Sequence, residues 1–227
     1  MKEWVLTPDR FLSKEELGKL LVRAEELRSL GVAKHRKQPV RDWLIVRIAL
    51  LSGLRASEVA GLKVTDLFIG YSHSEVVVRK GKGDKQRVVR IGKDLKRDLR
   101  WFLKWKSENG ELHPEAHLFR SQRAERLSRG AIWRRWKRHC PLHRLHDARH
   151  SNATLLLEAS KDLRLVQRHL GHSRPTTTAV YAGIGDERMT EAVNAMEQLA
   201  RDATRSKKTE AVAAVQSANS PFVPPRG

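Results

Sequence analysis

Apolar residues recur every three or four positions along much of the chain, which is the spacing of amphipathic α-helices. The first such stretch follows Ser13, which forms a capping-box pattern with Glu16, and runs to about Gly31. A second stretch extends from about Pro39 to Gly53 and is apolar on most sides. We therefore expect the second helix to lie at the centre of a helical core.

The helical spacing returns further along the chain. A short helix, "EVAGL", is predicted after Ser57, and Ser128 is positioned to cap a later one. Beyond residue 92 the predicted helices are residues 95–106, 129–139, 146–159, 162–170 and 186–203. The last of these carries a clean apolar stripe that includes Met189, Val193 and Met196. Such a stripe must be buried against some surface, on the same domain or on a neighbour.

Two short runs have the composition of strands instead. "SEVVVRK" and "QRVVRIG" are rich in β-branched residues and flank the glycine-containing segment "GKGDK". This arrangement predicts a hairpin whose turn lies in the glycine segment. The sequence therefore indicates a mainly α domain with a small antiparallel β-hairpin, and we find no internal repeat.

The charge balance narrows the class of partner. Lys and Arg number 45 against 26 Asp and Glu, which gives a formal net charge of +19 and an isoelectric point near 10.7. This excess favours a polyanion, with nucleic acid ahead of an anionic membrane surface. The longest apolar run, "WLIVRIALL", is interrupted by Arg47 and is far shorter than the ~20 residues that span a bilayer. No membrane partner is expected.

The first residues and the single cysteine suggest a compartment. The start, "MKEWVLTPDRF", lacks the apolar core of a signal peptide. Cys140 excludes an intrachain disulfide and suits a reducing cytosol, where it is expected to be a small, partly buried residue. We expect a cytoplasmic protein that associates with the nucleoid when it is bound to DNA.

Cleavage of a phosphodiester by a protein nucleophile needs a hydroxyl that attacks phosphorus, cations that neutralise the non-bridging oxygens, and a proton donor for the leaving oxygen. Arginine suits the second task because its planar fork stays charged and donates two bonds. Polar residues that fit these tasks stand outside the apolar pattern: Arg55, Lys82, His146, Arg149, His172 and Tyr181. Taken alone, Arg55 also fits a cation at a helix C-terminus, and Tyr181 also fits an apolar core.

Two of these assignments have rivals within the sequence. Lys82 could be an ordinary solvated turn lysine, and its neighbours Lys80 and Lys85 compete for the same role. His146 and His150 are four residues apart, so on a helix they could form a metal-binding pair. No HExxH pattern and no cysteine pair accompany them, and we therefore expect neither metal nor cofactor.

Three segments together resemble one family. "SGLRASEVAGLKVTDL" resembles the first conserved box of the tyrosine site-specific recombinases, the lambda-integrase and Xer group. "GKGDKQRVVRIG" is similar to their catalytic-lysine hairpin, and "LHDARHSNATLLLEASKDLRLVQRHLGHSRPTTTAVYAGI" to their second box. The resemblance covers roughly residues 6–185. It implies the catalytic fold of that family and a site-specific recombinase that acts without ATP or metal.

The resemblance also implies roles. Arg55 and Arg149 would hold the scissile phosphate, and Tyr181 would attack it to form a 3′-phosphotyrosine. Lys82 would protonate the departing 5′ oxygen. The ester preserves the energy of the broken bond, so a 5′-hydroxyl of another strand can reverse the step.

The remaining residues of the site would support this reaction. His146 would act as general base or as hydrogen-bond partner of the phosphate and nucleophile, and His172 would donate to a non-bridging oxygen. Glu58 matches the acidic position of the first box and would brace the site without taking part in the chemistry. His150 is expected to pack against the site or to contact phosphate.

The basic excess would line a face for double-stranded DNA, because each neutralised phosphate adds a salt-dependent contribution to binding. The residues expected there are Lys34, Arg36, Lys37, Lys80, Lys85, Arg87, Arg134, Arg135 and Lys137. Which bases are contacted does not follow from the sequence.

We expect three regions: a catalytic domain at residues 1–185, an amphipathic helix at 186–204 and a flexible basic, Ala- and Pro-containing tail at 205–227. The N-terminal core-binding domain of most relatives is expected to be missing, as in the single-domain fimbrial inverters. The family implies a homotetramer on paired sites, and a monomer or weak oligomer without DNA. Two alternatives remain: an accessory DNA-binding relative that does not cut, and a type IB topoisomerase.

Overall fold

The structure, a computed structural model, describes residues 11–79, 86–121, 124–171 and 189–204. The helices with defined bounds are α1 (Lys14–Ala33), α2 (Lys37–Leu51), α3 (Ala56–Gly61), α4 (Lys93–Glu108), α5 (Arg129–His139), α6 (Leu145–Ser160) and α7 (Leu163–Leu170). The strands are β1 (Leu67–Phe68), β2 (Glu75–Val78) and β3 (Arg87–Arg90), and a single 3₁₀ turn spans Val64–Asp66. The mainly α fold with a small antiparallel sheet is confirmed.

α2 forms the centre of the fold, as the sequence predicts. Its residues from Trp43 to Leu51 are all buried, and it contacts α1, α4, α5 and α6. The helix starts at Lys37, two residues before the predicted start at Pro39. Proline is tolerated there because the first turn of a helix does not need its N–H groups for intrahelical bonds. Arg47 is buried within α2 and donates to Asp98 of α4 at 2.6 Å.

The predicted caps are confirmed at two helices and wrong at one. Ser13 and Glu16 form the capping box of α1, and Ser128 accepts from the Ala131 amide at the start of α5. Asp162 also caps α7. α3 begins directly after Arg55, so Ser57 lies inside this helix and does not cap it. The predicted turn "TTTAVY" lies outside the described residues.

The predicted hairpin is present as part of a three-stranded antiparallel sheet in the order β1–β2–β3. Val76 pairs with Val89 and Val77 with Val88 across β2 and β3. Strand β1 was not predicted, because two residues are too few to show an alternating pattern. Within β3, Val89 is fully buried and Val88 is exposed, so Arg87 shares the inward side of the strand with Val89.

Residues 189–204 are helical and pack on the same chain; we call this segment the C-terminal helix. Its stripe includes the fully buried Val193 and Met196. Glu197 is also buried, and its carboxylate accepts hydrogen bonds from the backbone amides of Asp94 at 2.7 Å and Leu95 at 3.1 Å. This carboxylate satisfies amides at the N-terminus of α4, which has no side-chain cap of its own.

Within the described part of the chain, no helix is both long enough and apolar enough to cross a membrane.

Candidate active site

Arg149 lies in a group of three arginines around Glu58, which we call the cationic cluster and which also includes Arg55 and Arg87. It lies on α6 and is 3% exposed. Its Nη1 donates to the Gly53 carbonyl at 2.6 Å, and its Nη2 donates to the Leu170 carbonyl at 2.7 Å. Gly53 follows α2 with a φ of 64°, a conformation that glycine adopts without strain. The local turn after α2 and the end of α7 thus fix the guanidinium in place.

A second arginine stands beside it at the start of α3. The backbone amide of Arg55 donates to Glu58 Oε2 at 2.8 Å, and its Nη1 donates to Oε1 at 2.8 Å. Arg87 of β3 binds the same carboxylate with both ends of its fork, at 2.6 Å and 2.8 Å. Glu58 therefore holds Arg55 and Arg87 on two sides of one buried carboxyl group.

The cluster keeps a positive charge at neutral pH. Burial alone would raise the pKa of Glu58, but hydrogen bonds and charge from Arg87 and Arg55 outweigh it and lower the pKa to about 2. Burial, followed by repulsion from Arg55, lowers the pKa of Arg149 to about 10, so this guanidinium is also charged. Three guanidiniums and one carboxylate form a receptor for an anion.

Histidines extend this cluster along α6 and α7. Partial desolvation, then the charges of His150 and Arg149, lower the pKa of His146. The rings of His146 and His150 meet edge-on with centroids 4.5 Å apart. A neutral imidazole can accept a proton, so His146 is held in the form that a general base requires.

His169 of α7 was not predicted as part of the site. It is 2% exposed, and its ring lies close to the backbone of Ser52. Burial and then the charge of Arg149 lower its pKa to about 4, so it is neutral. The sequence gives no signal for it beyond a histidine in an apolar position three residues before His172.

Several predicted residues come together and others cannot be placed. Arg55, Glu58, His146, Arg149 and His150 belong to one cluster. The predicted residues that lie outside the described part of the chain are Lys80, Lys82, Lys85, His172 and Tyr181. Their roles stay predictions.

Arg87 has a different position from the one expected of a surface DNA contact. Its side chain is 15% exposed and its fork is occupied by Glu58. The sequence contains a signal for this position, because Arg87 lies two residues before Val89 and therefore on the same, inward side of β3. A cation on that side faces the buried end of the site.

The other predicted DNA contacts divide into exposed and paired residues. Lys34 and Arg36 are exposed in the α1–α2 connection, whereas Lys37 binds Glu111 at 2.8 Å. Arg134 is exposed on α5, whereas Arg135 forms an ion pair with the buried Asp42. These pairs reduce the charge that Lys37 and Arg135 can offer to a phosphate.

α5 presents an exposed aromatic ring between its basic residues. It buries Ile132 and Trp136, while Trp133 is 48% exposed. Trp133 lies one turn before Lys137, whose Nζ donates to the Pro141 carbonyl at 2.6 Å. The outer face of α5 thus combines cations with a flat apolar surface.

The two histidines of α6 have no third metal ligand within the part of the chain that the structure describes. Among the described residues, no group of three or more His, Cys, Asp or Glu side chains lies close enough together to hold a metal ion. What this cluster can do with its own side chains is bind an anion between guanidiniums and accept a proton at an imidazole.

Comparison with known proteins adds a family. Residues 10–188 match the phage integrase family. The chain is 33% identical over 186 residues to tyrosine recombinase XerA of Pyrococcus horikoshii, covering 79% of this chain and 61% of that protein. It is 37% identical over 183 residues to XerA of Thermococcus kodakarensis, covering 78% of this chain and 62% of that protein. The chain thus spans about three fifths of the length of these curated relatives.

Solved structures show the same fold. A crystal structure of XerA recombinase aligns with a TM-score of 0.58 and 28% identity, covering 80% of this chain and 62% of that one. XerH site-specific recombinase bound to its difH substrate aligns with a TM-score of 0.58 and 27% identity, covering 73% of this chain and 47% of that one.

Proposed function

The chain belongs to the phage integrase family, and from that premise we propose that it is the catalytic part of a site-specific tyrosine recombinase. It would cleave and rejoin double-stranded DNA through a 3′-phosphotyrosyl intermediate. Its recombinase relatives, XerH bound to difH among them, support this proposal.

One observation carries the proposal: the guanidiniums of Arg55 and Arg149 lie at one cluster with a net positive charge. Burial and repulsion from Arg55 together lower the pKa of Arg149, which indicates that the two cations are held near each other. Like charges are kept together at a cost, and an anion between them would relieve it. A scissile phosphate, whose charge grows in the transition state, is such an anion.

The proposed reaction is a transesterification. The Tyr181 hydroxyl attacks phosphorus and its proton passes to His146, while the bond from phosphorus to the 5′ oxygen breaks. Lys82 donates a proton to the 5′ oxygen, and His172 with Arg55 and Arg149 stabilises the non-bridging oxygens. The 5′-hydroxyl of a partner strand then attacks the phosphotyrosine and releases Tyr181. No bond energy is lost, so the proposal requires neither ATP nor metal.

The proposed DNA face includes the exposed Lys34, Arg36 and Arg134 together with the outer face of α5. Trp133 offers an apolar surface there for a thymine methyl group or a sugar. Binding through these cations should weaken steeply as salt rises, by about one unit of slope for each phosphate neutralised. In a cell the bound protein would be found with the nucleoid.

Four copies on paired sites are proposed for the complete reaction, because two duplexes must each be cut and exchanged. A C-terminal helix exchanged between neighbours would join them. In a single chain this helix buries Val193 and Met196 against its own domain. Truncation after Gly185 would remove part of the core along with any intersubunit contact.

The proposed chemistry is tested with a nicked suicide DNA that carries the protein's own site, found by searching the flanking DNA of its locus for inverted repeats. The protein is incubated with this DNA in EDTA and separated on a denaturing gel. We expect wild type to form a covalent protein–DNA adduct and Tyr181→Phe to form none.

The other outcomes identify the alternatives. Specific binding of the site without any adduct from wild type would contradict cleavage and favour an accessory DNA-binding role. Efficient relaxation of supercoiled plasmids of unrelated sequence by monomers would instead favour a type IB topoisomerase.

A further inference from the structure

We infer that Arg87 is a positioning residue for strand cleavage, which acts by neutralising Glu58 so that the charge of Arg55 remains available to the phosphate. This inference rests on the proposed function. It gives Arg87 a place in the reaction that differs from a surface contact to DNA.

The carboxylate of Glu58 is shared unequally by its two arginines. Arg87 binds both of its oxygens with two nitrogens, Nη1 at 2.6 Å and Nη2 at 2.8 Å. The side chain of Arg55 uses Nη1 alone, at 2.8 Å to Oε1. The bidentate pair is therefore the one between Glu58 and Arg87, and this is the stronger kind of pair.

Burial follows the same order. The Glu58 side chain is 2% exposed, that of Arg87 is 15% exposed and that of Arg55 is 28% exposed. The pair of Glu58 and Arg87 is thus largely sequestered, while Arg55 keeps an open side. Among the described residues, the hydrogen bonds of the Arg55 guanidinium involve Nη1 only. The rest of this fork can meet a ligand.

The stem of Arg87 is fixed by the end of α7. Gly171 follows this helix with a φ of 67°, and a Cβ on it would lie 2.7 Å from Arg87 Nε and closer still to Cδ. Only glycine leaves room for the stem there. Arg87 therefore connects β3 to Glu58 on one side and to the residue before His172 on the other.

The electrostatic consequence follows from counting charges. Without Arg87, the buried Glu58 would have Arg55 as its one directly bonded cation among the residues that the structure describes, and it would draw this guanidinium into a full bidentate pair. Arg55 would then be neutralised by protein and turned away from the phosphate. With Arg87 in place, the carboxylate is already neutralised and serves to orient Arg55. A displacement of about 1 Å at a catalytic group can cost ~100-fold in rate.

The test compares Arg87→Gln and Arg87→Lys with wild type on the suicide DNA. Two quantities are measured: the single-turnover rate constant of adduct formation at saturating protein, and the affinity for the same DNA over a range of salt. We expect Arg87→Gln to slow adduct formation by about 100-fold with affinity changed by less than about threefold. Arg87→Lys should recover part of the rate, since it restores the charge without the fork.

Arg90→Gln is the matched control. Arg90 lies on the same strand and binds Glu75 at 2.9 Å, outside the cluster around Glu58. The Arg90→Gln substitution removes one cation and one ion pair from β3, so it reproduces the loss of net charge and of strand stability that Arg87→Gln causes. We expect it to cleave at a rate within about threefold of wild type.

A double substitution tests the route through Glu58. If Arg87 acts through this carboxylate, Arg87→Gln should slow cleavage by less than about threefold when it is added to Glu58→Gln. The single-turnover rate constant does not depend on the fraction of protein that is active. A thermal unfolding curve for each variant shows in addition whether the protein is folded at the assay temperature.

Distinct results would overturn the inference. If Arg87→Gln cleaves at the wild-type rate but binds DNA weakly, with a salt slope lower by about one, Arg87 is a phosphate contact. Independent rate losses in the double variant would exclude the route through Glu58. If wild type itself forms no adduct, the proposed function fails and not this inference alone.

Discussion

Two buried glutamates at different regions of the molecule show how partners determine charge. Glu58 in the cationic cluster and Glu197 on the C-terminal helix are both almost fully buried. Burial by itself would raise the pKa of both carboxyl groups. The pKa of Glu58 is nevertheless lowered to about 2, whereas that of Glu197 is raised to about 7. Glu58 binds two guanidiniums, whereas Glu197 accepts from two backbone amides and lies close to Asp94.

The difference teaches that burial alone does not decide whether a carboxyl group is charged. Full positive charges offset the lost hydration of Glu58, while the partial charges of two amides offset only part of it at Glu197. Glu58 is therefore a constant anion over the physiological range. Glu197 gains or loses a proton near neutral pH, at the contact that joins the C-terminal helix to α4.

The largest effect is expected from Arg149→Ala. This substitution removes a buried charge from the cluster and leaves the Gly53 and Leu170 carbonyls without their donor. We expect the single-turnover rate of adduct formation to fall by at least about 1,000-fold, in line with the loss of an arginine that stabilises phosphoryl charge. A rate within tenfold of wild type, with the fold intact by circular dichroism, would remove Arg149 from the catalytic set.

Of the two glutamate substitutions, Glu58→Gln should cause the larger loss of unfolding free energy. A pKa lowered from 4.5 to about 2 corresponds to roughly 3 kcal/mol of stabilisation. This contribution is present above the unfolded-state pKa and is lost as the pH falls toward about 2. Urea unfolding should therefore show a large difference between variant and wild type at pH 7 and a smaller one at pH 3.5. Equal differences at both values would contradict the charged pair.

Glu197→Gln should produce an effect of the opposite sign. A folded-state pKa raised from 4.5 to about 7 stabilises the protein at low pH, and this contribution is lost as the pH rises through about 7. As the pH rises from 5.5 to 7, the unfolding free energy of the variant should increase by about 2 kcal/mol relative to that of wild type. The exposed Glu191, changed to Gln, is the control on the same helix and should show no such trend. Parallel pH profiles for Glu197→Gln and wild type would show that Glu197 does not titrate in this range.

Arg201→Ala should have the smallest effect. Arg201 binds both oxygens of Asp94 at 2.9 Å, but its side chain is 47% exposed. Exposed ion pairs of this kind contribute about 0.5 kcal/mol and weaken in salt. Urea unfolding at low and high salt measures the loss. A loss above about 2 kcal/mol would mean that this pair, more than Glu197, attaches the C-terminal helix.

Most of the fold could be predicted because its signals are local. The capping box of Ser13 and Glu16, the cap at Ser128 and the two valine-rich strands are all specified by residues in or next to these elements. The cluster around Arg55 could be predicted from the order of motifs, since three segments of the sequence resemble those of one family. Strand β1 was missed because its two residues show no periodicity.

The missed features depend on contacts between distant segments. The sequence places Arg87 among the surface cations because its partner Glu58 lies 29 positions earlier in the chain. Glu197 stands beside the apolar stripe of its helix, and nothing nearby shows that its carboxylate ends at amides more than 100 positions away. A polar residue at an inward position was the available signal in both cases.

Trp133 gives the proposed DNA face a spectroscopic property of its own. Among the tryptophans in the described residues, it is the one that is largely open to solvent, while Trp43 and Trp136 are fully buried. An indole in water emits at longer wavelength than a buried one and is accessible to soluble quenchers. Among the tryptophans that the structure describes, Trp133 on α5 is therefore expected to contribute most of the long-wavelength emission. A duplex laid over that helix would shield this indole, so binding can be followed by light without any added label.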